Sequence, residues 1–225
     1  MAMARFKDLC IGTGGGVALG RFWSEALGLS FEPDEVGDRV VGRLTGPTPQ
    51  HAVWMNVLAE PRTVKQRVHL DVHTDAVESL IALGASVLET FPHWTVMADP
   101  EGGELCAFVR EAPPDYRLYE VVVDAVRPEA VCGWWSQVLG AEMQRDAEDD
   151  LCWIEPVPHA PFESLGFNAV PEPKTVPNRI HWDVSVTDVQ PLVEHGAEVL
   201  RRPGGDIDWF VLADPEGNEF CAFVE

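Results

Sequence analysis

The sequence predicts an α+β protein of two tandem domains, residues 1–111 and 116–225, each built from two β-α-β-β-β units. Three observations carry that prediction. First, the chain repeats itself. "RVHLDV" (Arg67–Val72) returns as "RIHWDV" (Arg179–Val184), and "FWSEALG" (Phe22–Gly28) returns as "WWSQVLG" (Trp134–Gly140), both at an offset of 112 residues. Second, "DPEGGELCAF" (Asp99–Phe108) returns as "DPEGNEFCAF" (Asp214–Phe223) at an offset of 115, which places a three-residue insertion in the loop before it. Third, the apolar pattern in each copy switches between strand and helix periods in one fixed order.

The second copy shows that order most plainly. "RLYEVVVDAV" (117–126) is β-branched and compact, a strand. "PEAVCGWWSQVLG" (128–140) has proline at its start, apolar residues at helical spacing and Gly140 after the last of them, a helix. "DDLCWIE" (149–155) and "ESLGFNAV" (163–170) read as two strands. The series then restarts. "RIHWDVSV" is a strand and "DVQPLVEHG" a short helix, followed by the strands "AEVLRR", "DWFVLAD" and "EFCAFVE". The joint between copies, "REAPPDYR", carries two prolines and suits a short stiff linker.

Composition excludes several function classes. The 225 residues are 46% hydrophobic, enough for a real core, and no apolar run approaches the roughly 18 residues of a membrane span. The start, "MAMARFKDLC", lacks a signal-peptide pattern. With 37 acidic against 16 basic residues the net charge is −21, which repels a phosphate backbone and an anionic membrane surface. The five cysteines are odd in number and contain no CxxC, so a reducing compartment, the cytoplasm, is expected. A monomer or homodimer that meets a small-molecule ligand is the expected form.

The paired "RVHLDV"/"RIHWDV" strands, the "FWSEALGL"/"WWSQVLGA" helix ends and the two "DPEG.E.CAF" segments resemble the vicinal oxygen chelate superfamily, which includes glyoxalase I, bleomycin-resistance proteins and extradiol dioxygenases. The resemblance covers essentially the whole chain. It implies that paired units form a curled mixed sheet around a cup that holds a divalent metal (Zn, Fe, Ni or Mn) and a small oxygenated ligand. The family's ligand positions fall on Glu120, His181 and Cys221 in the second domain, with Asn168 beside them. In the first they fall on Asp8, His69, Cys106 and Asn56. Cys106 and Cys221 stand where relatives usually carry glutamate.

Strand alternation puts Arg179, His181 and Asp183 on one face and Ile180, Trp182 and Val184 on the other; Arg67, His69, Asp71 and His73 likewise oppose Val68, Leu70 and Val72. The apolar set must meet the helices, so the histidine face should line the cup. The resemblance makes Glu120 and His181 candidate metal ligands or acid–base groups. His69 and His181 could equally hydrogen-bond within the cup, while Arg67 with Asp71 and Arg179 with Asp183 could form ion pairs that shape its floor or pin the domains together. Cys106 and Cys221 read as ligands, as buried small hydrophobes, or as nucleophiles if a base stands near. Trp94 and Trp209 recur before the DPEG turns and, with Trp54, Phe108, Phe167 and Phe223, are candidate pocket walls; Trp23 and Trp135 are assigned to the core. The expected function is a glyoxalase-like small-molecule cup, as a metal-dependent lyase, isomerase or dioxygenase, as a metal-free ligand-sequestering module, or as an assembly protein.

Overall fold

A computed structural model describes residues 2–36, 39–58, 60, 62–146 and 151–225. Among the described residues, β-α-β-β-β units follow one another. The first is β1 (Arg5–Thr13), α1 (Val17–Leu27), β2 (Ser30–Val36), β3 (Arg39–Thr45) and β4 (Val53–Val57). The second is β5 (Val68–Thr74), α2 (Val77–Ala82), β6 (Ser86–Thr90), β7 (Thr95–Ala98) and β8 (Glu104–Val109). The third is β9 (Leu118–Ala125), α3 (Pro128–Leu139), β10 (Met143–Arg145), β11 (Cys152–Ile154) and β12 (Ser164–Ala169). The fourth is β13 (Ile180–Val186), α4 (Gln190–Glu194), β14 (Glu198–Arg201), β15 (Phe210–Ala213) and β16 (Glu219–Val224). Residues 149 and 150 of the strand expected over 149–155 lie outside the described residues.

The α+β class and the paired units are as the sequence predicts, but the pairing crosses between repeats. One eight-stranded mixed sheet has the order β14-β15-β16-β13-β1-β4-β3-β2, joining the first unit to the fourth. The other has the order β10-β11-β12-β9-β5-β8-β7-β6, joining the second to the third. The antiparallel seams are β1 with β13 and β5 with β9. Each repeat therefore gives half of each sheet. The periodicity of a strand defines its faces but not the strand it meets, and units of the same design offer similar edges, so the local pattern cannot assign the seam.

Alternation settles the faces as expected. Trp182, Val184 and Ile180 are buried in the core, and Trp135 of α3 packs its ring edgewise on Trp182 at 4.7 Å and on Phe220 at 4.9 Å. Trp23 of α1 and Trp135 are fully buried, each on a helix with an apolar stripe facing inward. Both helices end at a glycine in the left-handed region, Gly28 at φ 71° and Gly140 at φ 67°. Phe167, expected beside the cup, lies in the core instead.

The DPEG turns do two jobs. Asp99 Oδ1 accepts from the backbone N–H of Glu101 and Gly103, and Asp214 Oδ1 from those of Glu216 and Asn218, which shapes each turn. The motif's glutamate then reaches the neighbouring sheet. Glu101 accepts from Thr13 Oγ1 at 2.8 Å and from Gly14 N–H at 2.7 Å, while Glu216 accepts from Val126 N–H and Arg127 N–H at 2.8 Å each.

Candidate functional site

The face opposite the core of each sheet gathers the titratable residues. On the first sheet, Asp8 of β1 pairs with Asp183 of β13, Cys10 with His181, and Asp183 with Cys221 of β16. Cys10 Sγ lies 3.7 Å from Asp183 Oδ2, His181 Nε2 lies 3.6 Å from Asp183 Oδ1, and Cys221 Sγ lies 3.6 Å from His181 Nε2. Asp8 Oδ2 receives the Lys7 ammonium at 2.6 Å and Trp54 Nε1–H at 3.1 Å. The buried Oδ1 atoms of Asp8 and Asp183 have no hydrogen-bond partner among the described residues. Burial, reinforced by the Asp8 charge, pushes Asp183 up to about 8. Burial pushes His181 down to about 4, so its imidazole is neutral, and raises both thiols.

On the second sheet, Glu120 of β9 pairs with Asp71 of β5, and Asp71 with Cys106 of β8. One donor atom each from His69, Asp71 and Cys106 lies within 4.8 Å of the others. His69 Nε2 stands 3.3 Å from Asp71 Oδ1, in ion-pair range but out of hydrogen-bond alignment, which leaves that buried oxygen without a hydrogen bond among the described residues. Ser164 Oγ donates to Glu120 Oε1 at 2.6 Å. Burial pushes Glu120 up to about 7, against the Ser164 hydrogen bond and helped by the Asp71 charge. Burial opposes protonation of His69, but the nearness of Asp71 and Cys106 outweighs it and holds the imidazole well above its ordinary range.

An aromatic wall flanks this second cup. Tyr119 stacks on His73 at 4.8 Å and meets Phe108 edgewise at 5.2 Å; Trp94 stacks on Phe91 at 4.8 Å and on Phe108 at 6.3 Å. Beside it a recess of about 430 Å³ is lined by Phe91, Trp94, Phe108 and Arg110. The first cup has the shorter equivalent, Trp209 stacked on Phe223 at 5.3 Å.

The crossed pairing divides the metal set expected from the sequence. His181 and Cys221 share the first cup with Asp8, whereas Glu120 lies in the second with His69 and Cys106, so Glu120, His181 and Cys221 cannot hold one ion. The arginines also leave the cups. Arg67 donates to the Glu172 carbonyl and Arg179 to the Glu60 carbonyl, each bridging the two repeats rather than pairing with Asp71 or Asp183. Both line a cavity of about 1060 Å³ with Leu58, Val64 and Val176, which shares no lining residue with either cup. Sequence reasoning missed Lys7, Cys10, Tyr119 and Ser164. The repeat could have shown the first and third, because Lys7 and Tyr119 stand at one repeat position next to the candidate acids Asp8 and Glu120.

The donor groups fit a small divalent cation in both cups: imidazole nitrogen, carboxylate oxygen and thiol sulfur converge around a buried oxygen with no hydrogen-bond partner among the described residues. The sequence comparison agrees with the fold. The family model described as "Glyoxalase-like domain" matches residues 8–108 and again 120–223. The chain belongs to the glyoxalase-like domain family. It is a tandem member of the vicinal oxygen chelate superfamily. Glyoxalase I from Zea mays superposes on this glyoxalase-like chain with a TM-score of 0.68 at 14% identity, covering 98% of this chain and 92% of the maize protein. An E144Q mutant of the maize enzyme gives a TM-score of 0.68 at 15% identity over 98% and 93%. A candidate dioxygenase from Bacillus subtilis gives 0.67 at 13% identity over 98% and 85%. At these identities the likeness is one of fold. No curated protein matches the glyoxalase-like chain in sequence.

Proposed function

We propose that the second cup is the working site of a glyoxalase-like enzyme, where a divalent metal and a small oxygenated or aromatic metabolite meet in a lyase, isomerase or dioxygenase reaction. The observation that carries this reading is the convergence of His69, Asp71 and Cys106 within 4.8 Å, beside an aromatic wall and opposite Glu120. His69, Asp71 and Cys106 would hold the ion; imidazole, carboxylate and thiolate together suit zinc or ferrous iron. A metal there supplies Lewis acidity at ligand oxygens. The chain's own part is positioning. Ser164 fixes Glu120 through Oε1 and leaves Oε2 to exchange a proton with the ligand. Tyr119, Phe108 and Trp94 offer faces to a planar group and keep water from it.

Metal analysis of the purified protein, followed by Zn²⁺ titration, tests the reading. One ion per chain is expected, with affinity reduced more than about a hundredfold in His69→Ala. Absence of stoichiometric Zn, Fe, Ni or Mn, with no site rebuilt on adding them, overturns it. A metal-free reading, capture of a cationic aromatic ligand, draws on the acidic side chains Glu120, Glu155 and Glu163 whose charges bear on Tyr119. Thermal shifts with cationic aromatic compounds in the presence of EDTA would support that second reading, and no shift would remove it. Both cups are completed within one chain, so a monomer suffices. No helix among the described residues is long and apolar enough to cross a membrane, and five free thiols support our assignment to the cytoplasm.

A further inference from the structure

The two cups rest on the same repeat positions, and one of those positions differs in charge. Lys7 and Tyr119 are equivalent residues at an offset of 112, and each sits at an irregularity in its strand. The pairing of β1 with β13 jumps between Phe6 and Asp8, skipping Lys7; the pairing of β9 with β5 jumps between Leu118 and Glu120, skipping Tyr119. Such a bulge breaks strict alternation and turns two consecutive side chains toward one side. Lys7 accordingly joins Asp8 in the first cup, and Tyr119 joins Glu120 in the second.

The consequences differ. Lys7 Nζ lies 2.6 Å from Asp8 Oδ2 and 4.2 Å from the centroid of Phe223, so its ammonium is held by a buried carboxylate and by an aromatic face. Phe108, the counterpart of Phe223, meets the Tyr119 ring at a steep angle instead. Among the described residues, no lysine or arginine forms an ion pair with Glu120 or Asp71. A divalent ion entering the first cup must displace the ammonium or stand beside it, and like charges a few ångströms apart in a poorly solvated site repel strongly.

We propose that Lys7 is a resident counter-ion that closes the first cup to divalent cations, so that the chain offers one cation-accepting cup, the second. The claim for the second cup rests on the function proposed above; the claim for Lys7 does not. Cys10, His181 and Asp183 still present donors within 4.8 Å of one another, so removing the ammonium should open a site.

Zn²⁺ titration by calorimetry, with bound metal counted after desalting, tests this on four proteins. The wild type should bind one ion per chain. Lys7→Met, which keeps the stem over Phe223, should bind two, and the second should vanish in Lys7→Met/His181→Ala. Tyr119→Lys should bind none. A wild type that binds two ions overturns the proposal, as does a folded Lys7→Met that binds no more than the wild type. If Lys7→Met does not fold, Tyr119→Lys decides, and unchanged Zn²⁺ binding there overturns the proposal. A wild type that binds none beside a Lys7→Met that binds one removes the second-cup reading and upholds the role of Lys7.

Discussion

Asp8 and Asp183 face one another across the seam of β1 and β13, only 4% and 3% exposed, and one oxygen of each has no hydrogen-bond partner among the described residues. Burial and the nearby Asp8 charge push Asp183 up to about 8 from its ordinary 3.8. The folded state therefore binds more protons than the unfolded chain between those values, and stability falls as pH rises through that window. His181, lowered from 6.5 to about 4, acts in the opposite sense: its contribution grows as pH rises from about 4 to 6.5. We expect urea midpoints of the metal-free protein to show the Asp183 loss most clearly above pH 6.5. Asp183→Asn should gain on the wild type as pH rises from 4 to 8, by a few kcal/mol at most. Parallel pH profiles for the two proteins would contradict the assignment.

Gly166 separates binding from stability. A Cβ there would lie 2.8 Å from Glu120 Oε1 and 2.9 Å from Glu120 Cδ. The obstacle is the end of a flexible side chain, so Gly166→Ala should cost under about 1 kcal/mol in stability. It should nonetheless displace Glu120 from Ser164. Metal or ligand affinity at the second cup is expected to change several-fold while the thermal midpoint hardly moves.

Gly28 presents the opposite case. Its φ is 71°, and a Cβ would meet the Asp115 carbonyl oxygen at 1.9 Å. That neighbour is linker backbone and cannot rotate away. Gly28→Ala should lose at least about 2 kcal/mol, seen as a lower urea midpoint. A neutral outcome would mean that the linker does not pack on the end of α1.

Glu216→Ala removes the acceptor of two backbone N–H groups and the partner of Arg127 Nε at 3.1 Å. Val126 and Arg127 are exposed enough for water to replace part of the loss. A destabilisation of about 1–2 kcal/mol is expected, with Glu216→Gln closer to the wild type. Differential hydrogen exchange at Val126 and Arg127 checks that the loss is local.

Much of this molecule is legible in its sequence. The repeat marked the units, the apolar period marked the helices, and alternation put His69 and His181 on the face away from Trp182 and Leu70. What stayed hidden depended on contacts between segments far apart in sequence. The seam of β1 with β13 is written in no local pattern, so the repeat order sets Glu120 beside His181, whereas the fold sets it beside His69. Lys7 was hidden for a different reason: strict alternation turns it away from Asp8, and only the bulge brings the two together. Arg67 and Arg179 looked like partners of nearby aspartates because spacing suggests neighbours, whereas each reaches a carbonyl of the other repeat.

The exchange of units between the two sheets bears on how such a chain could arise and diverge. A single repeat carries half of each sheet, and the seam edges of its β1 and β5 are met by strands of the other repeat. Two identical copies could complete both sheets only by pairing, and symmetry would then force both cups to be the same. Once the copies are joined in one chain, a substitution enters one cup without its mirror image. Position 7 could thus become lysine while position 119 became tyrosine, so that the two cups no longer carry the same charge.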